Sequence, residues 1–440
     1  MNKKINLAVA SAALVLGASA ANAGIVIPAG EWTMDINGNV NAYASTHSAD
    51  DTAVITGGTA AVKDINGEAD SQGINTGLLP SWLGFTGTTR QNDLDVSFTI
   101  SFQPNASDNS LTGDSKTPLN RQAFLTFGDK SWGTVKMGKD LGIFAADAIL
   151  NDMTLLGVGS SAITGSQKSG GSTSLGGIGT GYIYPAWKGQ VAYTTPNMNG
   201  FQATIGITNP NGSTLGGAAY QDTFGFEGKA AYDFAAGDAK GKVWVSGAAY
   251  DVTTAQVNSA AAVTSSSTFS TIGDHLSLTS TSVTGLTTVA TTQTEAISAV
   301  SSVSYDATVV DIGANINLGN FGLTGYYYSG EGVGTTFFGA NGATAAGIER
   351  DSDGGYVQAT FVIPSGTKLG AAYGVSNLDL ASGEAASALV EENKRWTVGA
   401  YHPLTKHLNL VAEYNKVEAN SHNNLKAESD SFSLGAILFF

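Results

Sequence analysis

The last nine residues constrain this chain more than any other stretch. Phe432, Leu434, Ala436, Leu438 and Phe440 fall on one side of a two-residue repeat, and Ser433 and Gly435 begin the other side. This is the period of a β-strand, and its apolar face ends on a terminal phenylalanine. An apolar edge strand at a terminus invites aggregation in water. A transmembrane barrel removes the hazard, because its last strand pairs with its first and no edge remains. The rest of the chain then has to supply that first strand and everything between.

The amino-terminal end carries a different signal. Lys3 and Lys4 precede a small, mostly apolar run from Ile5 to Ala20, and Ala21-Asn22-Ala23 gives a small-x-small pattern before Gly24. Residues 1–23 therefore read as a secretory signal peptide cleaved after Ala23, leaving 24–440 as one barrel domain. The run is rich in Ala and Ser and falls short of the ~20 strongly apolar residues that a spanning helix needs. No later segment approaches a helical span, so membrane insertion falls to strands.

Composition narrows the function. Charged residues make up 13% of the chain, about half the usual share in a soluble domain. Cysteine is absent, which excludes disulfides, thiolate metal sites and a cysteine nucleophile. The formal net charge of −15 becomes −17 once Lys3 and Lys4 leave with the signal peptide. Nucleic-acid binding is disfavoured, since it needs clustered cations, whereas an acidic surface suits cations. His47, His275, His402, His407 and His422 are dispersed without metal-ligand spacing. Asp35-x-Asn37-x-Asn39 lacks the glycine and closing glutamate of a calcium loop and reads as the inner face of a strand. No nucleophile elbow or phosphate cradle is present, so neither an enzyme nor a cofactor is expected.

Alternation recurs from Glu31 to the end. Leu94, Val96, Phe98, Ile100 and Phe102 oppose Asp95, Ser97, Thr99 and Ser101, and Leu408, Leu410, Ala412 and Tyr414 oppose Asn409, Glu413 and Asn415. Strand centres fall near residues 38, 83, 98, 124, 136, 191, 204, 228, 245, 313, 325, 358, 371, 398, 411 and 435. Short turns are expected at Thr88–Asn92, Asp129–Ser131, Pro196–Asn199, Ala235–Asp238, Gly319–Asn320, Pro364–Thr367 and His402–Lys406. They alternate with long loops at about 46–77, 105–118, 141–186, 209–221, 252–307, 331–352, 376–393 and 418–427. An even strand count with short turns on one rim and long loops on the other predicts an all-β, 16-stranded antiparallel transmembrane β-barrel.

Two loops stand apart. The Ser/Thr/Ala-dominated segment at about 252–307 reads as a surface flap. The third long loop, Leu141 to Ala186, opens on Leu141, Ile143, Phe144, Ile149 and Leu150 before turning Gly- and Ser-rich. An apolar start suits a loop folded inward against the barrel wall. Most of Trp32, Trp82, Trp132, Trp187, Trp244 and Trp396 sit near strand ends, as interfacial girdles do, and Tyr326, Tyr327 and Tyr328 read as girdle or rim.

With this much in place the chain resembles the trimeric general porins of Gram-negative outer membranes. The resemblance rests on Arg121-Gln122-Ala123-Phe124-Leu125 followed by Trp132 to Lys139, and on Ser81-Trp82-Leu83-Gly84-Phe85-Thr86-Gly87. Ala192 to Pro196 before Gly200-Phe201, Thr397 to Tyr401 before Leu404-Thr405-Lys406, and the terminal Phe440 extend it over nearly the whole mature chain. It implies a water-filled pore narrowed by the inward-folded third loop, with loop carboxylates facing wall cations. Asp152 is then the foremost constriction acid, with Asp147 second. Arg121 stands at the place of a wall arginine, with Lys188 and Lys139 as companions. Trp82 stands where the second strand commonly places an inward arginine, which makes it a pore-lining aromatic. Phe440 resembles the terminal aromatic read by the barrel-assembly machinery. Opposed fixed charges in a narrow polar eyelet order water and penalise apolar solutes.

The leading expectation is passive diffusion of small hydrophilic solutes and ions, with cations preferred, through a homotrimer set among outer-membrane lipid and lipopolysaccharide. A surface-interaction barrel with an occluded lumen, supported by the Ser/Thr loop, is the alternative. A solute-selective porin, hinted at by Trp82, lies between them.

Overall fold

The structure, a computed structural model, describes residues 24–64, 66–104, 106, 119–160, 173–209, 219–220, 223–257 and 300–440. The expected signal peptide lies outside the described residues, as does most of the 252–307 loop, Asp274 included. Sixteen strands form the wall. The first eight are β1 Trp32–Ala49, β2 Trp82–Gln91, β3 Leu94–Gln103, β4 Leu119–Asp129, β5 Gly133–Leu141, β6 Trp187–Thr194, β7 Phe201–Thr208 and β8 Gly225–Ala236. They continue as β9 Ala239–Val257, β10 Val300–Leu318, β11 Phe321–Glu331, β12 Asp351–Val362, β13 Lys368–Leu378, β14 Val390–Pro403, β15 Leu408–Ser421 and β16 Lys426–Phe439. Each expected strand centre falls inside one of them. Each strand pairs antiparallel with the next, and β16 closes the ring on β1, from Phe439 opposite Asn39 to Ser429 opposite Ala49.

The closing seam sits higher on β1 than the pattern suggests. The sequence places the partner of the last strand near Asp35–Ala42, but below Asn39 the first strand pairs instead with a short strand, Ile25–Ala29. Phe440 N–H donates to the Gly38 carbonyl at 3.0 Å and its own carbonyl accepts from Gly38 at 2.8 Å, so the two segments meet end to end along β1. Two further short strands, Asp70–Asn75 and Ala219–Tyr220, pair beside β1 and β9.

Some boundaries move for identifiable reasons. The β2–β3 ladder runs to Gln91 opposite Leu94, so the turn is only Asn92-Asp93 rather than Thr88–Asn92. Both turn residues take positive φ, 46° and 63°, the geometry that lets a two-residue turn follow the strand twist. On the opposite rim, β9 and β10 stay paired out to Val257 opposite Val300, well into the expected flap. The last loop, expected at 418–427, shrinks to residues 422–425.

Alternation separates the two faces. On β10, Val310 and Ile312 are each 62% exposed outward while Asp311 between them is 3% exposed inward. A barrel in lipid needs this arrangement, because a charge on the lipid face is costly. Tyr327 is exposed outward, but Tyr326 and Tyr328 are buried inward, so only one of the three fits the girdle reading. Trp244 is likewise turned inward and buried against Gly313, where a Cβ would lie 2.1 Å from the indole.

Candidate functional site

The segment between β5 and β6 is built across the lumen. At its root, Glu227 on β8 accepts the backbone N–H groups of Ile143 at 2.6 Å and Phe144 at 3.0 Å. Lys188 donates to the same carboxylate at 2.6 Å, and the Tyr250 hydroxyl completes the set. Ala145, at φ 59°, turns the chain into a short helix, α1 Ala146–Asn151, and its N–H reaches Ser246 on β9. These groups sit on the inner faces of their strands, opposite the lipid-facing Phe226 and Val245.

The middle of the segment docks on β12. The Tyr356 hydroxyl donates to the Ala148 carbonyl at 2.8 Å, and Gln358 bonds both Asn151 O and Met153 N–H. A 3₁₀ turn, Met153–Leu156, follows, and Asp152 caps it by accepting from Thr154 N–H at 2.9 Å. At the far end Glu413 on β15 repeats the device seen at the root. One of its oxygens accepts from Val158 at 2.8 Å and Gly159 at 2.7 Å, and the other from the Tyr401 hydroxyl at 2.6 Å. Tyr43 on β1 donates to Leu156 O at 2.6 Å. The segment therefore touches β8, β9, β12, β15 and β1 in turn.

Both expected loop acids are buried and neutralised. Asp147 lies between Lys229 at 2.9 Å and Lys242 at 2.8 Å, from β8 and β9. Burial opposes its ionisation, but the two ammonium groups outweigh that and hold its carboxyl below the usual carboxylate value. Asp152 accepts from Tyr182 at 2.9 Å and stands 3.7 Å from the Arg395 guanidinium. Burial, and then the nearby Asp152 charge, push the Tyr182 phenol well above its ordinary value, so it stays a proton donor.

The expected wall cations sit elsewhere. Arg121 lies against Trp82 and Trp187, with ring centroids 5.1 Å and 4.2 Å from its guanidinium carbon. It donates to Gln122 Oε1 at 3.5 Å. Lys188 belongs to the Glu227 clamp. Lys139 donates to the Asn120 carbonyl at 2.8 Å, on the strand face opposite the paired Lys136 and Asp140. The structure brings Trp82 to Arg121 and pairs Arg121 with neither Asp147 nor Asp152. The cations that meet the loop acids are Lys229, Lys242 and Arg395, and none of them was singled out from sequence. A signal existed: Glu227-x-Lys229 and Asn393-x-Arg395-x-Thr397 put polar residues on the face opposite Phe226, Trp396 and Val398.

A second inward segment lies over the first. In residues 332–350, Phe338 packs on Tyr250 at 4.5 Å and on Phe144 at 6.4 Å between centroids. Arg350 straps this segment to its neighbour. It donates to the Asn341 and Ala343 carbonyls and forks onto Glu384 at 2.7 and 2.5 Å.

Residues 10–422 match the family model described as Gram-negative porin. A comparison with curated protein sequences finds no match. Among solved structures, the outer membrane channel DcaP of Acinetobacter baumannii is similar at a TM-score of 0.60 and 14% identity, over 95% of this chain and 100% of that one. The trimer form of OmpT, an outer membrane protein of Vibrio cholerae, gives 0.52 and 14%, over 93% and 99%. The OmpF of Salmonella typhi, solved with daunomycin, gives 0.53 and 14%, over 94% and 100%.

Proposed function

The chain belongs to the Gram-negative porin family, and from that premise we propose an outer-membrane diffusion pore for small hydrophilic solutes and ions, cations preferred. The family and the barrel are those of outer-membrane channels and not of enzymes. The observation that carries the finer reading is the stretch 141–160 of the third long loop, hydrogen-bonded from Glu227 across to Glu413. A loop so held narrows the lumen at a fixed place and leaves solutes a polar eyelet beside it.

The cation preference rests on the mature charge of −17 rather than on the loop acids alone, because both are ion-paired. Asp152 and Asp147 are the proposed constriction acids. Lys229, Lys242 and Arg395 are their proposed counter-charges, with Arg121 and Trp82 on a separate part of the wall. Residues 1–23 are proposed to leave as a signal peptide, and Phe440 to serve as the assembly signal for the barrel-assembly machinery. A homotrimer embedded in lipid and lipopolysaccharide completes the reading, in line with the trimer form of the similar OmpT.

Reversal potentials in planar bilayers across a KCl gradient test this. A potential of the sign set by K⁺ is expected, and Asp152→Asn should reduce it more than Asp274→Asn. Anion preference, or no conductance, would overturn the reading. The Trp82–Arg121–Trp187 stack favours a second reading, a pore with solute preference. Competition between charged solutes in liposome swelling separates the two.

A further inference from the structure

Asp35 is a carboxylate in search of a cation. Its Oδ1 is buried and makes no hydrogen bond, and no lysine, arginine or histidine among the described residues lies within ion-pair distance of it. Across the ladder it faces Thr86 on β2 and Val26 of the short strand Ile25–Ala29, neither of which carries charge. Gly24 lies beside it. A Cβ built there would fall 2.0 Å from Asp35 Oδ1 and 2.7 Å from its Cγ, so the Gly24 backbone packs directly against this carboxylate. The Gly24 nitrogen is bonded to the same Cα as that position, and so lies within about 4.5 Å of the carboxylate oxygen by ordinary covalent geometry.

We propose that the α-ammonium created at Gly24 when the signal peptide is removed is the ion-pair partner of Asp35, and that it locks the barrel seam. This rests on the cleavage reading above. Water adds across the Ala23–Gly24 peptide bond under the signal peptidase. Ala23 leaves as a carboxylate with the leader, and the freed Gly24 amine takes up a proton. Before cleavage the nitrogen is a neutral amide with one N–H. Afterwards it carries a full charge and three donors, which a buried carboxylate oxygen needs.

The position gives the pair its consequence. Ile25–Ala29 continues the line of β16 along β1 just beyond the mutual Gly38–Phe440 bonds. Anchoring Gly24 to Asp35 therefore pins the strand that extends the closing seam. Only a processed chain makes the anchor, so maturation secures a seam that β16 and β1 have closed.

The test compares four proteins refolded in detergent: the chain beginning at Gly24, its Asp35→Asn variant, the chain extended by one alanine, and the extended chain with Asp35→Asn. The readout is the temperature at which the folded gel mobility is lost. Each single change is expected to lower it by about 2–4 °C, and the double change no further. Reductive methylation followed by mass spectrometry reads the α-amine directly, and it should label several-fold faster in Asp35→Asn. Additive shifts, no shifts, or equal labelling would overturn the anchor while leaving cleavage intact. The mass of the protein isolated from outer membranes tests cleavage alone, and a start other than Gly24 would overturn both.

Discussion

Glu413 Oε2 accepts the backbone N–H of Gly159 at 2.7 Å, from the wall on the far side of the lumen from the root of the loop. With Val158 it makes a two-amide clamp that mirrors Glu227 with Ile143 and Phe144. Gly157 lets the clamp close, since a Cβ there would meet the carboxylate at 2.0 Å. Hydrogen bonds to a charged group are worth about 1.5–3 kcal/mol each. Gly157→Ala and Glu413→Gln should therefore free the far end of the loop without unfolding the wall. Single-channel recordings should show a noisier and altered conductance in both variants, with the gel mobility of the folded barrel retained.

Asp147 sets a pH window. Its carboxyl sits below the ordinary value in the folded loop, held there by Lys229 and Lys242 against burial. A depressed pKa contributes stability above the unfolded value, and that contribution is lost as pH falls through the folded value. The contribution of Asp147 to docking should then stay constant from neutrality down to about 4 and be lost only below it. Conductance recorded stepwise from pH 7 to pH 3 reads this. Asp147→Asn should cost about 3–5 kcal/mol, since it leaves two partly buried ammonium groups uncompensated, and should flatten the acid response.

Arg350 holds the second inward segment by four hydrogen bonds at 2.5–2.8 Å, two of them to Glu384. Glu384 is drawn below its usual carboxylate value chiefly by the bond from Arg350. Arg350→Ala should release residues 332–350 and with them the Phe338 contact on Phe144 and Tyr250. Limited proteolysis of intact cells should cut first within 332–350 in this variant and not in the parent. Uncut variant protein would mean that Phe338 alone secures the segment.

The wall was legible from sequence and the site largely was not. Each strand carries its own face signal, as Val310, Asp311 and Ile312 do, so strand number and order follow from local alternation. What meets across the lumen depends on strand shear and on the path of one loop, and neither is local. Arg121 illustrates the difference. It is the residue left unpaired where the β3–β4 register shifts between Ser101 and Phe102, and its guanidinium lies against two indoles, a contact that no local alternation announces. Lys229 and Lys242 gain their role only because α1 lands between β8 and β9.

That difference makes the charge pattern separable by mutation. Lys229 and Lys242 are 24% and 20% exposed and flank one carboxylate between them, so one positive charge is left over toward the lumen. Arg121 is 8% exposed and lies against two tryptophan rings, so its charge reaches the pore weakly. Lys242→Gln should raise cation preference in reversal-potential measurements, with Lys229 still pairing Asp147. Arg121→Gln should leave the reversal potential almost unchanged and instead lower thermal stability by about 1–2 kcal/mol, the worth of a desolvated cation–π stack. If Arg121→Gln moved the reversal potential more than Lys242→Gln, the wall arginine and not the lysine pair would govern selectivity.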